Sequence, residues 1–177
     1  MLNDKLSAGL YVAIHFLVLG AIAWATGRPF IFPSLGPSAY LLATGETDRA
    51  EGGYHVIGGH FVAVVCGMIA YHPIAGGLVA VDVLGEAGPF SFDVLALAAS
   101  CVVAMVLTTV AMLVAKTNHP AACATTLIVA LGLLSTAVDG AIIMASVVLL
   151  YVLHEKVLYP AAIRFGFEPD EPRPADG

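Results

Sequence analysis

Charge is what this sequence has least of. Asp, Glu, Lys and Arg together make up 11% of its 177 residues, against roughly 25% in an ordinary soluble domain. Apolar residues reach 59% and the mean hydropathy is +0.92. A domain of this size has too much surface for its volume to hide that much apolar material from water. A water-soluble globule is therefore excluded, and the chain reads as an integral membrane protein. Its few charges, seven Lys/Arg against thirteen Asp/Glu, sum to −6. That sign excludes nucleic acid as a partner, since nucleic-acid binding requires clustered Lys and Arg.

Cysteine is also scarce. Cys66, Cys101 and Cys123 all lie in apolar runs, so each reads as a small buried hydrophobe and not as a disulfide half or a nucleophile. No Gly-x-Gly-x-x-Gly or phosphate-loop motif occurs, and no cofactor is expected. His55, His60 and Cys66 lack the tight pairs of a zinc site, and "HEKVL" at 154 is not a His-Glu-x-x-His motif, so no metal is expected either. The first 25 residues imitate a secretory signal. Their apolar run, Leu6 to Thr26, is nevertheless 21 residues long, which suits a span of ~20 residues better than a signal core.

Four runs are long enough to cross a bilayer as helices: 6–26, 56–81, 94–115 and 140–159. A helix satisfies its own backbone, which hydrocarbon demands. Two further segments are short and interrupted. "PFIFPSLGPSAYLLAT" (29–44) carries prolines at 29, 33 and 37, and "PAACATTLIVALGLLSTAV" (120–138) opens on one. Proline suits the first turn of a helix and disfavours helix before it. Each segment thus holds a short helix beginning at its proline, with extended backbone expected from 29 to 36. The charged, Pro-rich tail from 168 on is expected to be disordered.

The two interrupted segments occupy matching places. "LGPSAYLLATG" (35–45) and "NHPAACATTLIVALG" (118–132) each run from a proline through small residues and an apolar stretch with Thr to a glycine. Each also lies between two long spans. The expected fold is therefore all-α and polytopic, a single transmembrane domain over 1–159 with an acidic tail at 160–177. It divides into two similar halves, 1–81 and 94–159, each long helix, broken or half helix, long helix. That makes six membrane segments, four full spans plus two short ones. Duplicated units with broken segments at corresponding positions point to a transporter binding site. With Lys5 in the cytoplasm, Arg49, Lys116, Lys156 and Arg164 fall on the same side and only Arg28 dissents, in keeping with the positive-inside rule. Both termini are then cytoplasmic and the location is the cell membrane. A four-span topology with both broken segments re-entrant stays open at this point.

A helix that starts inside a membrane carries about half a positive charge and up to four unpaired N–H groups at its beginning. Such an end binds anions readily. The candidate site accordingly takes Gly36, Pro37, Ser38 and Ala39 from the first short segment and Pro120, Ala121, Ala122 and Thr125 from the second. Small side chains there let a solute approach the backbone, and Thr125 and Thr126 add hydroxyls. The competing account is that small residues simply allow close helix packing. Arg28, just before the first segment, and Lys116, before the second, can raise the local potential for anions or serve as headgroup anchors.

The stretches "FPSLGPSAYLLATG", "GGYHVIGGHFVAVVCG" and "NHPAACATTLI" resemble the HPP family of integral membrane proteins. That family shows a Pro-x-Gly-x-Ser-Ala motif, a Gly-Gly-His opening the next span, and a His-Pro-Pro-Ala motif. The likeness runs over about 29 to 135. It implies motif roles for Pro33, Gly36, Ser38, Ala39, Gly59, His60, His119, Pro120 and Ala121, and a function in nitrite transport. One departure is plain: Ala121 stands where the family has its second proline.

His60 and His119 can donate hydrogen bonds to an anion or carry a proton; the alternative is an imidazole bonded to a backbone carbonyl. His15 and His72 read as packed histidines or relay members, and His55 as loop. The function expected is movement of a small inorganic anion, nitrite first, across the lipid bilayer by a homo-oligomer, and not an enzymatic activity. A second class remains: "GPSA" resembles the nucleophile motif of rhomboid-like intramembrane proteases, with Ser38 paired to His60 or His119. A third is a non-transporting scaffold or sensor subunit.

Overall fold

In the computed structural model, residues 2–44 and 52–164 are described. The acidic run at 46–51, with Arg49, and the tail from 165 lie outside them. The described residues form helices only: α1 (Leu2–Thr26), α2 (Leu35–Thr44), α3 (Gly52–Ala75), α4 (Ala80–Glu86), α5 (Phe92–Ala115), α6 (Ala122–Ala130), α7 (Ala137–Leu153), a π-helical turn (His154–Leu158) and α8 (Tyr159–Arg164). Four stretches are long and apolar enough to cross a membrane: Leu6–Thr26, Gly52–Glu86, Phe92–Ala115 and Ala137–Arg164.

The distribution of side chains is inverted relative to a soluble protein. Ser34, Ser38, His60, Ser100, Thr108 and Thr125 are all fully buried, while Leu10, Leu17, Phe61, Ile69, Val106 and Leu113 face outward. Water would penalise such a surface severely, whereas lipid tails welcome it and forbid unpaired polar groups. The chain is thus a multi-pass membrane protein.

Helix ends follow local chemistry. Ser91 caps α5 by accepting from the Asp93 N–H at 3.2 Å. Thr136 and Asp139 form a capping box that starts α7, so Asp139 is a structural residue. Helix α3 stops at Ala75, short of the expected 81. A Cβ on Gly76 would lie 2.5 Å from the His72 carbonyl, and Gly77 takes φ +90°. The chain then turns into α4, a short helix between the second and third long runs. The first short helix begins at Leu35, two residues before Pro37. Extended backbone therefore ends near Phe32 and not at 36, because Pro37, lacking an N–H, still fits within a first turn. The last span continues through a π turn instead of closing as regular helix at 159.

Helix α3 is central, packed on α5, α6 and α7. Its glycines permit this. A Cβ on Gly67 would sit 2.8 Å from Val129 Cβ and 3.3 Å from the Thr126 carbonyl of α6. The start of α3 meets the ends of two other helices, since Tyr54 Oη donates to the Ala115 carbonyl at 2.7 Å and Gly53 abuts the Tyr151 ring. The far end of α3 meets the end of α6, where the Ala80 N–H bonds the Leu131 carbonyl at 3.0 Å.

Gly67→Ala is expected to lower the thermal stability of the detergent-solubilised protein by about 1–3 kcal/mol through overpacking. Gly9→Ala, with open space around it, should be neutral or slightly stabilising. Melting curves of the two variants beside the wild type check this.

Candidate functional site

The starts of the two short helices meet through two hydrogen bonds. Ser34, just before α2, bonds Thr125 of α6, Oγ to Oγ1, at 2.6 Å. Four residues on, Ser38 lies against His119, which precedes α6, with Oγ to Nε2 at 3.0 Å. The contact runs antiparallel: as the chain of α2 advances, its partner on α6 recedes.

His60 enters from α3, eight residues and about 12 Å beyond the start of that helix. Its Nε2 is 2.9 Å from Ser38 Oγ and its Nδ1 is 2.7 Å from Thr125 Oγ1. The five side chains Ser34, Thr125, His60, Ser38 and His119 form one continuous chain, each at most 2% exposed.

Donor counting orders this chain. The Ser38 hydroxyl also contacts the Ser34 carbonyl at 3.1 Å, and a carbonyl can only accept. The one Ser38 proton is therefore committed there, and His60 and His119 both donate Nε2–H to Ser38 Oγ. With its proton on Nε2, His60 must accept at Nδ1, so Thr125 donates to it. Thr125 then accepts from Ser34. Every bond has one donor and one acceptor, as a polar cluster in a medium without water requires.

The approach of His119 to His60 depends on two glycines. A Cβ on Gly59 would fall 2.7 Å from His119 Cβ and 3.1 Å from the Thr117 carbonyl, and one on Gly58 would fall 2.8 Å from Thr117 Cγ2. The Gly-Gly-His sequence thus lets residues 117–119 lie flat on α3, and it places His60 one position further on. Thr117 itself is 3% exposed, and its hydroxyl has no hydrogen-bond partner among the described residues.

Of the residues singled out from sequence, Ser38, His60, His119 and Thr125 come together. Ala39, Ala121 and Ala122 are buried beside them and Gly36 is half-buried. Pro37 and Pro120 face outward, and Arg28 is exposed beyond the end of α1, so these three are not brought to the cluster. Thr126 turns away and bonds Thr108 of α5 at 2.9 Å. The helix starts are less open than the sequence suggested: the N–H groups of Ala122, Cys123 and Ala124 bond the carbonyls of His119, Pro120 and Ala121. Tight turns close them, and the donors left to face a solute are imidazoles and hydroxyls. Ser34 was missed because the extended stretch was drawn through it. A serine just ahead of a helix start was the available signal.

A family model described as HPP, transmembrane region, matches residues 2–159. The chain belongs to the HPP family. No curated protein and no solved structure matches it. The stretches "PSLGPSA", "GGH" and "NHPAA", far apart along the chain, here supply Ser38, His60 and His119 to a single point. The substitution of Ala121 for proline leaves that meeting intact.

Ser38→Ala is expected to cost about 1–3 kcal/mol of stability, because two imidazole N–H groups lose their acceptor in a buried site. Gly59→Ala should destabilise to a similar degree by pushing residues 117–119 off α3. Thermal unfolding in detergent reads both, and wild-type melting of Ser38→Ala would contradict the bonding scheme.

Proposed function

We propose that this HPP-family protein moves a small monovalent anion across the cell membrane, through a site where its two short helices meet. Nitrite is the lead candidate, on the family resemblance. The observation that carries the reading is the convergence of two imidazole N–H groups on one oxygen, at 2.9 and 3.0 Å, inside a membrane domain. Two N–H donors aimed at one point suit a hydrogen-bond acceptor with negative charge and repel a cation. Ser38 Oγ occupies the spot that an oxygen of the anion would take, and rotation of that side chain would present both donors. The starts of α2 and α6 add favourable potential. The unpartnered Thr117 hydroxyl, two residues before His119, offers a further donor on one approach.

The reading includes six crossings in two inverted halves. Support comes from the bond between Tyr54 and Ala115, which keeps the start of α3 beside the end of α5, and from the Ala80–Leu131 bond at the opposite end. A short segment leaving the end of α5 and finishing beside the end of α3 has traversed the bundle. Both termini are then cytoplasmic. Rocking of one half against the other would expose the site alternately. Assembly of several copies, each with a broad apolar exterior, belongs to the same proposal.

The protease reading is not favoured by the hydrogen bonding. An activated serine must give its proton to an imidazole, whereas Ser38 receives two N–H bonds and donates to a carbonyl. We read the protein as a transporter without enzymatic activity.

Nitrite uptake into proteoliposomes should exceed that of empty vesicles and be competed by nitrate, formate, bicarbonate or chloride according to selectivity. His60→Ala and His119→Ala should reduce it roughly tenfold or more, and Arg28→Ala should change it little. Absence of flux for every small anion would remove the proposal.

Topology is tested separately, in a background lacking the three native cysteines. Asn118→Cys and Ala137→Cys should react with an impermeant reagent from opposite faces; labelling from one face favours four spans.

A further inference from the structure

A second cluster of titratable side chains lies away from the Ser38 site, where α1 meets the end of α7. His15 is fully buried and His154 is 3% exposed. Their rings stack at 5.8 Å between centroids with 18° between planes. Tyr11 sets its edge against His154 at 5.9 Å, and its hydroxyl donates to the Leu158 carbonyl. Tyr159 approaches His154 at 6.4 Å. The Glu155 carboxylate stands 3.9 Å from His154 Nε2, its side chain 22% exposed. The π turn that holds His154 interrupts an otherwise α-helical span, a distortion found often at functional positions.

The protons on His15 can be counted. Its Nδ1 lies 2.8 Å from the Tyr11 carbonyl, which can only accept, so Nδ1 carries the hydrogen. A neutral imidazole has one N–H. Nε2 is then a bare lone pair, buried and without a partner among the described residues. The neutral ring thus keeps one lone pair buried with no donor to meet it. Nε2 is the one open proton position on the ring.

We propose that His15 and His154 form a proton-binding site at the seam of α1 and α7, taking up one proton per stacked pair. Two charged rings at this separation would repel, so the pair holds a single proton. Half-exposed Glu155, 3.9 Å from His154 Nε2, is the route to the membrane surface, and the stacked rings of His154 and His15 hold the proton. No redox partner or leaving group is involved. The other ionisable groups nearby are the Tyr11 and Tyr159 phenols and half-buried Tyr151. Lys156 and Arg164 point outward, as does Tyr40 of α2.

Uptake changes the charge of the joint that fastens α1 to α7. Helix α1 is also the helix on which α2 packs, and Leu19, one turn beyond His15, sits in the same core as Leu35 and Ala39. Charging of the seam therefore acts on the element that carries Ser38, through packing and not through a continuous hydrogen-bonded wire. The proton site stands independently of the anion reading.

The test is a nitrogen NMR titration of the full chain in lipid nanodiscs, with ¹⁵N-labelled histidine and no added anion, from about pH 8 to about pH 5. The His15 signals are assigned by their loss in His15→Gln. Nε2 is expected to pass from the unprotonated to the protonated shift as pH falls, and His154→Gln to move that midpoint. Should His15→Gln fail to assemble, the His154 signals are followed in Glu155→Gln, where the midpoint should fall because the neighbouring anion is gone. An Nε2 that stays unprotonated across the range, whether bare or bonded to water, overturns the proposal. So does a His15 midpoint indifferent to His154→Gln. Since no anion is present, failure here leaves nitrite flux untouched, and failure of flux leaves this site standing.

Discussion

The chain of hydrogen bonds from Ser34 through Thr125, His60 and Ser38 to His119 is the interaction on which the interior depends. In lipid an unpaired hydroxyl or imidazole costs several kcal/mol, with no water to relieve it. Each member of the chain is therefore admissible only because the next one is present. The bonds also tie three elements together: α2 and α6 to each other, and both to the central α3. Two short helices of ten and nine residues would be marginal alone. Their positions are determined by this polar chain and by glycines in α3 that let backbone and side chain come within contact distance.

The same constraint explains why the chemistry is imidazole and hydroxyl chemistry. Backbone N–H groups at a helix start inside a membrane cannot wait for a ligand, and those of α6 are closed by tight turns. Side-chain donors differ, because rotation lets them exchange one partner for another at little cost. Ser38, which accepts from two imidazoles and donates to a carbonyl, is the member of the cluster with the most partners to exchange. The His15–His154 seam has a different balance. There His15 Nε2 is buried with no hydrogen-bond partner among the described residues. A cluster with its bonds complete and a buried imidazole nitrogen with no partner among the described residues thus lie in one small membrane domain.

Much of this architecture was legible in the residues. The runs 6–26 and 94–115 correspond closely to α1 and α5, since continuous apolar character over about 20 residues has one structural solution in a bilayer. Pro37 and Pro120 marked the short helices to within two residues, because proline tolerates only the first turn. Other boundaries were not legible. The run 56–81 stays apolar past Ala75, and only the Gly76–Gly77 geometry ends the helix. Pro37 was read as the start of α2, yet a turn at Pro33 and Ser34 begins it. The run 140–159 starts three residues late, because Thr136 and Asp139 form the capping box that opens α7.

The sequence by itself determined that the chain lives in a membrane, that it has two short helices near prolines, and that Ser38, His60 and His119 stand in stretches that resemble one family. Composition and proline stereochemistry act locally, so a linear reading suffices for them. Only the tertiary structure decided which hydroxyls meet which imidazoles. Ser38 and His119 are 81 positions apart and Ser34 and Thr125 are 91 apart, and adjacent Thr125 and Thr126 face different helices. It also paired His15 with His154, which sequence placed at opposite ends of the domain. Helical rotation assigns a residue to a face, but the neighbour on that face is set by how whole helices pack.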